Sequence, residues 1–334
     1  MSVRVFVLLA IALLPGFALA APPSAEVVQK QREQIAELRK AVMQQKGSLG
    51  KMDLIAAAMK GEKDVEMRRK LLDLGGEFGG PDLEPFLIDF MAGEEDSGLQ
   101  SQAATLLGRH GSERALPVLV KLASSDRTST CMFGCIAGQS SARRSATFAI
   151  AELAERHPKL FEKAMADLQA LPDKLDPKDN ESLGDARLQA LYQISHDDKL
   201  LAPFYERLKS ADDKERTRGL VAFRYLKLQK APPEIRQALF DTSDEVRTWA
   251  TLVLGEIKDQ KTVRDLMAVA ADEKNDLGLR ANAIGSLGRM KARDSVDLLE
   301  KLLEDANLGA NAAISLYQIT GRKVKQFPAG YNAD

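Results

Sequence analysis

Between Asp244 and Asp305 the chain copies itself. Arg247, Ala250, Leu254, Gly255, Val263, Leu266 and Asp272 recur 33 residues later as Arg280, Ala283, Leu287, Gly288, Val296, Leu299 and Asp305. Repetition at a period of about 20 to 50 residues marks a solenoid, in which each unit is one supersecondary motif that buries its apolar face only against its neighbours. This constrains the fold more than length does, because a chain of 334 residues would otherwise be read as two or three globular domains, whereas a repeat array grows in one dimension.

Within each unit the apolar period is helical. Val246, Ala250, Val253, Leu254 and Ile257 follow one face of a first helix, and a Gly or a short polar run ends it. Val263, Leu266, Met267 and Val269 mark a second helix, and Asp272 begins the turn into the next unit. With Arg247 as anchor, equivalent positions fall at Arg68, Gln100, Arg143, Arg187, Arg216 and Arg280, with Gly309 in the last unit. The expected fold is all-α: a solenoid of about eight stacked antiparallel helix pairs over residues 50–321, with an N-terminal helix before it and a tail at 322–334. If each unit buries about ten aliphatic side chains at roughly 1.5 to 3 kcal/mol apiece, stacking supplies the term that offsets backbone ordering.

Residues 1–20 read as a secretory signal peptide. Arg4 is the positive start, Val5 to Leu14 the apolar run, and Pro15 and Gly16 precede Ala18-Leu19-Ala20, with cleavage expected before Ala21. The alternative, an uncleaved anchor, needs about 20 apolar residues to span a bilayer, roughly twice the run present. No Cys follows the run to carry a lipid. The expected location is periplasmic or secreted, with no membrane insertion after cleavage. The formal charge of −1 supplies no basic field for nucleic acid or anionic lipid.

Ser24 is the expected N-cap of a helix reaching about Gln45, within a 21–46 segment. Its Val28, Ile35, Leu38 and Val42 share one face, either as a cap over the end of the array or as a short coiled-coil seam for weak self-association. Gly47 to Gly50 ends that helix. The two long intervals between anchors hold insertions at 124–141 and 171–184. In the first, Cys131 and Cys135 are candidates for a disulfide in an oxidising compartment, and Met132, Phe133 and Ile136 are candidate contacts to a protein partner on an exposed excursion.

Residue sets that carry chemistry do not assemble. Gly285-Ser286-Leu287-Gly288 lies in a repeat helix and not at a nucleophile elbow, and His110, His157 and His196 fall at turns. Cys-x-x-Cys and His-Glu-x-x-His pairs are missing. Gly75-Gly76-Glu77-Phe78-Gly79-Gly80 lacks the Lys and Ser/Thr of a phosphate loop and reads as a turn. Asp197-Asp198 and Asp212-Asp213 bracket a short helix beside Lys199 and Lys214, as a solvated edge does. No catalytic residue, cofactor or metal is expected.

The run Asp-Glu-Val-Arg-Thr-Trp-Ala-Thr-Leu-Val-Leu-Gly-Glu-Ile at 244–257, followed by an aliphatic second helix, resembles the HEAT-repeat family and its PBS-lyase HEAT-like variant. The ending Leu316-Tyr317-Gln318-Ile319-Thr320-Gly321 resembles secreted bacterial members. The resemblance implies a polar ladder between neighbouring units, which would fall to Asp244 with Arg247 and to Asp276 with Arg280, and which Gly309 interrupts. It also implies a non-catalytic scaffold for a protein partner, here an exported one. One alternative is an envelope assembly protein that self-associates through the 24–45 helix. Another is a bilin-lyase-like enzyme, which export would separate from its substrate. The register itself is testable: Ala250→Asp or Ala283→Asp should destabilise the chain by roughly 3 to 5 kcal/mol in urea unfolding, because each buries an unpaired charge. A surface-like loss of a few tenths would mean that the helices face the other way.

Overall fold

The computed structural model describes residues 24–125, 142–172, 183–226, 228 and 230–328. Among them there is helix and no strand, as the apolar period requires. The chain divides into two compact units, residues 1–190 and 191–334.

In the first unit, α1 (Ala25–Gln44) and α2 (Ser48–Met59) precede three pairs. These are α3 (Val65–Phe78) with α4 (Leu83–Gly93), α5 (Ser97–His110) with α6 (Leu116–Ala123), and α7 (Ala142–Arg156) with α8 (Phe161–Ala170). Helix α9 (Leu183–Ser195) crosses into the second unit. There α10 (Ala202–Leu208) is followed by α11 (Asp213–Arg224) with α12 (Pro233–Gln237), α13 (Asp244–Ile257) with α14 (Val263–Ala271), α15 (Leu277–Arg289) with α16 (Val296–Leu302), and a last unpaired helix, α17 (Gly309–Thr320). Short 3-10 turns lead into most second helices.

The N-terminal helix is the first helix of a pair in its own right. Ser24 caps it through Val27 N–H at 3.3 Å, and its apolar seam turns inward onto α2 and α3: Val42 is buried, and Val28, Ile35 and Leu38 are half-buried. Arg39 on α1 pairs with Glu77 of α3 and lies over Phe78. The break after α1 is shorter than the sequence implies, with Gly47 at φ +82° before Ser48, and Gly50 lies inside α2. Gly75 and Gly76, expected in a turn, belong to the last turn of α3, where a Cβ on Gly76 would press the side chain of Leu106. Only Gly79 and Gly80 turn the chain.

First helices of successive pairs pack nearly backbone to backbone. A Cβ on Gly255 would stand 3.0 Å from Ser286 Cα, and one on Gly288 would stand 2.9 Å from Ser315 Cα. Such approach admits no side chain larger than hydrogen. The serines facing these glycines are buried and donate across the gap, Ser286 Oγ to Thr251 O and Ser315 Oγ to Ile284 O, both at 2.9 Å. Val246, Ala250, Val253, Leu254 and Leu266 are fully enclosed beneath. The chain's last described residues cover the flank of α17: Phe327 packs edge-on to Tyr317 at 5.1 Å, and Lys323 Nζ lies 5.0 Å from the Phe327 ring.

First helices α9, α13 and α15 end near left-handed residues that are not glycine: His196 at φ 53°, Lys258 at 59° and Lys291 at 52°. In this region a Cβ crowds the carbonyl and costs roughly 1 to 2 kcal/mol. Lys291→Gly should therefore raise stability by about 0.5 to 1 kcal/mol, net of the chain entropy that glycine adds to the unfolded state. An unchanged or lowered urea midpoint would show that the lysine stem makes contacts worth as much as the strain.

Candidate functional site

Six of the eight anchor positions have a polar role that the structure shows, and in five of them the side chain reaches back to the carbonyls where the preceding second helix ends. Gln100 Nε2 donates to Glu94 O at 2.7 Å, Arg187 Nη1 to Leu171 O at 2.6 Å, Arg216 Nη1 to Ser210 O and Ala211 O at 2.9 Å, Arg247 Nη1 to Asp241 O at 3.0 Å, and Arg280 Nε to Ala270 O at 3.0 Å. The last carbonyls of a helix lack intrahelical partners and carry partial negative charge, so a guanidinium satisfies both needs. Arg143 is buried at the equivalent place in α7.

The acidic partners follow a different path from the expected ladder. Four residues before most anchors stands the helix N-cap: Asp64 accepts from Met67 N–H at 2.8 Å, Asp96 from Leu99 N–H at 2.9 Å, Asp212 from Lys214 N–H at 2.9 Å, and Asp276 from Gly278 N–H at 2.8 Å. In α13 that place belongs to Ser243, and Asp244 is one residue late. Asp244 therefore pairs with Arg247 inside one helix and does not join two units. Asp276 likewise serves its own helix, while Arg280 turns to Ala270 O. Arg224 with Glu256 and Arg236 with Asp259 join neighbouring pairs, whereas Arg68 and Arg216 bind Glu94 and Asp241, the acids that close their own pairs. Glu94 and Asp241 each sit at a junction, the carboxylate bound to the arginine behind and the carbonyl bound by the anchor ahead.

The Arg216–Asp241 junction opens onto a small cleft of about 140 Å³. Lys209, Arg216, Glu234, Gln237 and Asp241 line it, with Leu208, Ala238 and Val246. The pair is bidentate, Nε to Oδ2 and Nη2 to Oδ1, both at 2.8 Å. Burial alone would raise the Asp241 carboxyl. The Arg216 bonds, the Ser243 N–H and the Arg216 and Arg247 charges outweigh burial and hold it below its ordinary 3.8. Arg216 and Asp241 are thus turned to each other and to neighbouring backbone, which is the geometry of a structural joint.

Several other positions of chemical interest are also committed to packing or capping. Ser286 is buried, with its hydroxyl on Thr251 O. His157 Nε2 lies 3.1 Å from Gly111 O, beside Arg156 Nη1, which donates to Gly108 O at 2.9 Å and Gly111 O at 3.1 Å. His196 packs edge-on to Tyr192 at 6.0 Å, and His110 is the exposed end of α5. Asp197 and Asp212 each cap a helix start. No group of three or more His, Cys, Asp or Glu able to hold a metal occurs among the described residues, and none of their helices is long and apolar enough to cross a membrane. Cys131, Cys135, Met132, Phe133 and Ile136 lie outside the described residues, as do residues 1–23 and 173–182.

The family model for HEAT repeats matches residues 52–131 and 201–277, and that for the PBS lyase HEAT-like repeat matches residues 279–305. No curated protein matches the chain. Among solved structures, the Escherichia coli protein YibA is 16% identical with a TM-score of 0.43, covering 89% of this chain and 97% of its own. Human deoxyhypusine hydroxylase, solved in complex with glycerol, is 16% identical with a TM-score of 0.34, covering 90% and 100%.

The structural role of the joint gives a pH-dependent expectation. Because the folded Asp241 carboxyl lies below its ordinary value, its contribution is complete above about pH 4 and is lost as pH falls through the lower folded value. Asp241→Asn should cost about 1 to 3 kcal/mol at neutral pH. That deficit should shrink in acid unfolding below pH 4, and a deficit that stays constant down to pH 2 would exclude the pair as its source.

Proposed function

Because more than half of the chain matches HEAT-repeat models and the chain belongs to the HEAT-repeat proteins, we propose that it is an exported, non-catalytic scaffold that holds a protein partner on its outward side chains. The observation that carries this reading is the division of labour along each pair. The recurring Arg, Asp, Gly and Ser groups are turned inward to helix ends and neighbouring backbones. The outward positions differ from pair to pair and are free to define a surface. Stacked rigid pairs with a repeated interior and a variable exterior provide an extended binding face. Export rests on the reading of residues 1–20, and the Met132, Phe133 and Ile136 excursion remains a proposed contact region.

Self-assembly through α1 is the less favoured reading, because the seam formed by Val28, Ile35, Leu38 and Val42 is spent on α2 and α3. Photocrosslinking amino acids placed at 132, at Asp265 on α14 and at Glu300 on α16, in cells that make the protein, test the scaffold. Adducts of one discrete mass, from some positions and not others, are expected. The scaffold reading fails if no position yields an adduct beyond the protein's own mass, and adducts at twice that mass would favour self-assembly.

A further inference from the structure

One outward ridge departs from the pattern of side chains committed to the fold. It runs across α11, α13 and α15 in the second unit. Its centre is Trp249, the only tryptophan of the chain and half-buried on the outer side of α13. Arg224 of α11 reaches across, with Cζ 5.8 Å from the indole centroid and Nε donating to Glu256 Oε1 at 2.9 Å. Both partners of that ion pair remain more than a third exposed, at 35% and 37%.

On the far side, Arg289 of α15 donates to Ser286 Oγ at 2.8 Å and, among the described residues, forms no ion pair. The residue as a whole is exposed, yet crowding of its guanidinium end, and then the Arg224 charge, lower its pKa against the pull of Glu256. Glu256, already bound by Arg224, is thus also within electrostatic reach of Arg289, which has no ion-pair partner of its own among the described residues.

A second observation is independent of charge. Gly285 interrupts the middle of α15, where glycine costs roughly 1 kcal/mol relative to alanine. Unlike Gly255 and Gly288, it is not required by packing: a Cβ there would meet only Arg289 Nη1, at an ordinary 3.6 Å. The result is an open notch beside the Arg289 guanidinium.

A joint between helices would need one arginine and one glutamate. It would not need an outward indole, a second arginine or an unfilled notch. Tryptophan and arginine are the residues that dominate binding energy at protein interfaces, and a guanidinium selects a carboxylate through paired N–H donors. We propose that this ridge binds an acidic segment of a protein partner, with a carboxylate entering beside Gly285 to pair with Arg289 and the adjoining residues lying on Trp249. This rests on the scaffold reading and names the chemistry of its partner.

Because Trp249 is the only tryptophan, its emission reports on the ridge directly. The purified chain is titrated at low salt with capped octa-glutamate, and with octa-lysine in parallel. A saturable change in emission is expected with octa-glutamate alone. Its midpoint should rise at least about tenfold in Arg289→Gln, equivalent to the loss of about 1.4 kcal/mol, and should hold in Lys301→Gln, which removes the same charge from the exposed side of α16.

Gly285→Glu covers the case in which Arg289→Gln unfolds. It places a carboxylate in the notch and should silence the response while the far-ultraviolet circular dichroism stays helical. No saturable change with octa-glutamate, an equal change with octa-lysine, or equal losses in Arg289→Gln and Lys301→Gln would each overturn the proposal. Crosslinked adducts at other positions alongside a silent ridge would reject the ridge and leave the scaffold. A responsive ridge without adducts anywhere would reject the scaffold alone.

Discussion

The fold depends on how helix ends are satisfied where the chain leaves one pair and enters the next. Short helices have a large fraction of their backbone groups at ends, and each end leaves four donors or acceptors without partners. Packing second helices against a continuous core buries many of those groups, where an unmet carbonyl is costly. The chain meets this with a compact device. An acidic N-cap serves the start of α3, α5, α11 and α15, and in α5, α11, α13 and α15 an amide or guanidinium at the anchor position serves the end of the segment before it. Junction acids such as Glu94 and Asp241 then tie one pair to the next through side chain and main chain at once.

This device explains the spacing of the repeats better than the apolar pattern alone. An Asp and an Arg four apart occupy fixed positions relative to the helix start, so they recur at the starts of α3, α11 and α15. The apolar positions tolerate exchange among Ala, Val, Leu and Ile, because volume and not direction decides them. Gly255 and Gly288 tolerate none, since the serine of the next first helix occupies the space a side chain would need. The Gly-Ser contact and the arginine joint therefore fix the interval between neighbouring helices from two sides.

The architecture was legible in the sequence because its two strongest signals, helical period and repetition, are local in the chain. The role of Ser286 was legible for the same reason, as its place in the copied helix already removed it from chemistry. The acidic partners were not. Assigning Asp244 as the equivalent of Asp276 overlooked that the N-cap of α13 is Ser243, a shift of one residue that sends the carboxylate to another side of the helix. Which carbonyl an arginine reaches depends on the distance between helices, and no single-sequence pattern carries it. The Arg224, Trp249, Glu256 and Arg289 ridge was hidden because its members come from three helices spread over 66 residues, at positions that do not repeat. Only the mid-helix Gly285 offered a hint, and the repeat pattern around it masked that hint.

The covering of α17 by residues 322–328 has a consequence for assembly. A stack of like units has no inherent length: its last first helix offers the next copy the same flank that every earlier one offers its neighbour. Head-to-tail contacts of that kind do not close, and they generate filaments. By laying Phe327 against Tyr317 and Lys323 over both rings, the chain occupies that flank with its own residues. Within the second unit, the flank that would continue the stack is thus closed by residues that lie outside the repeat.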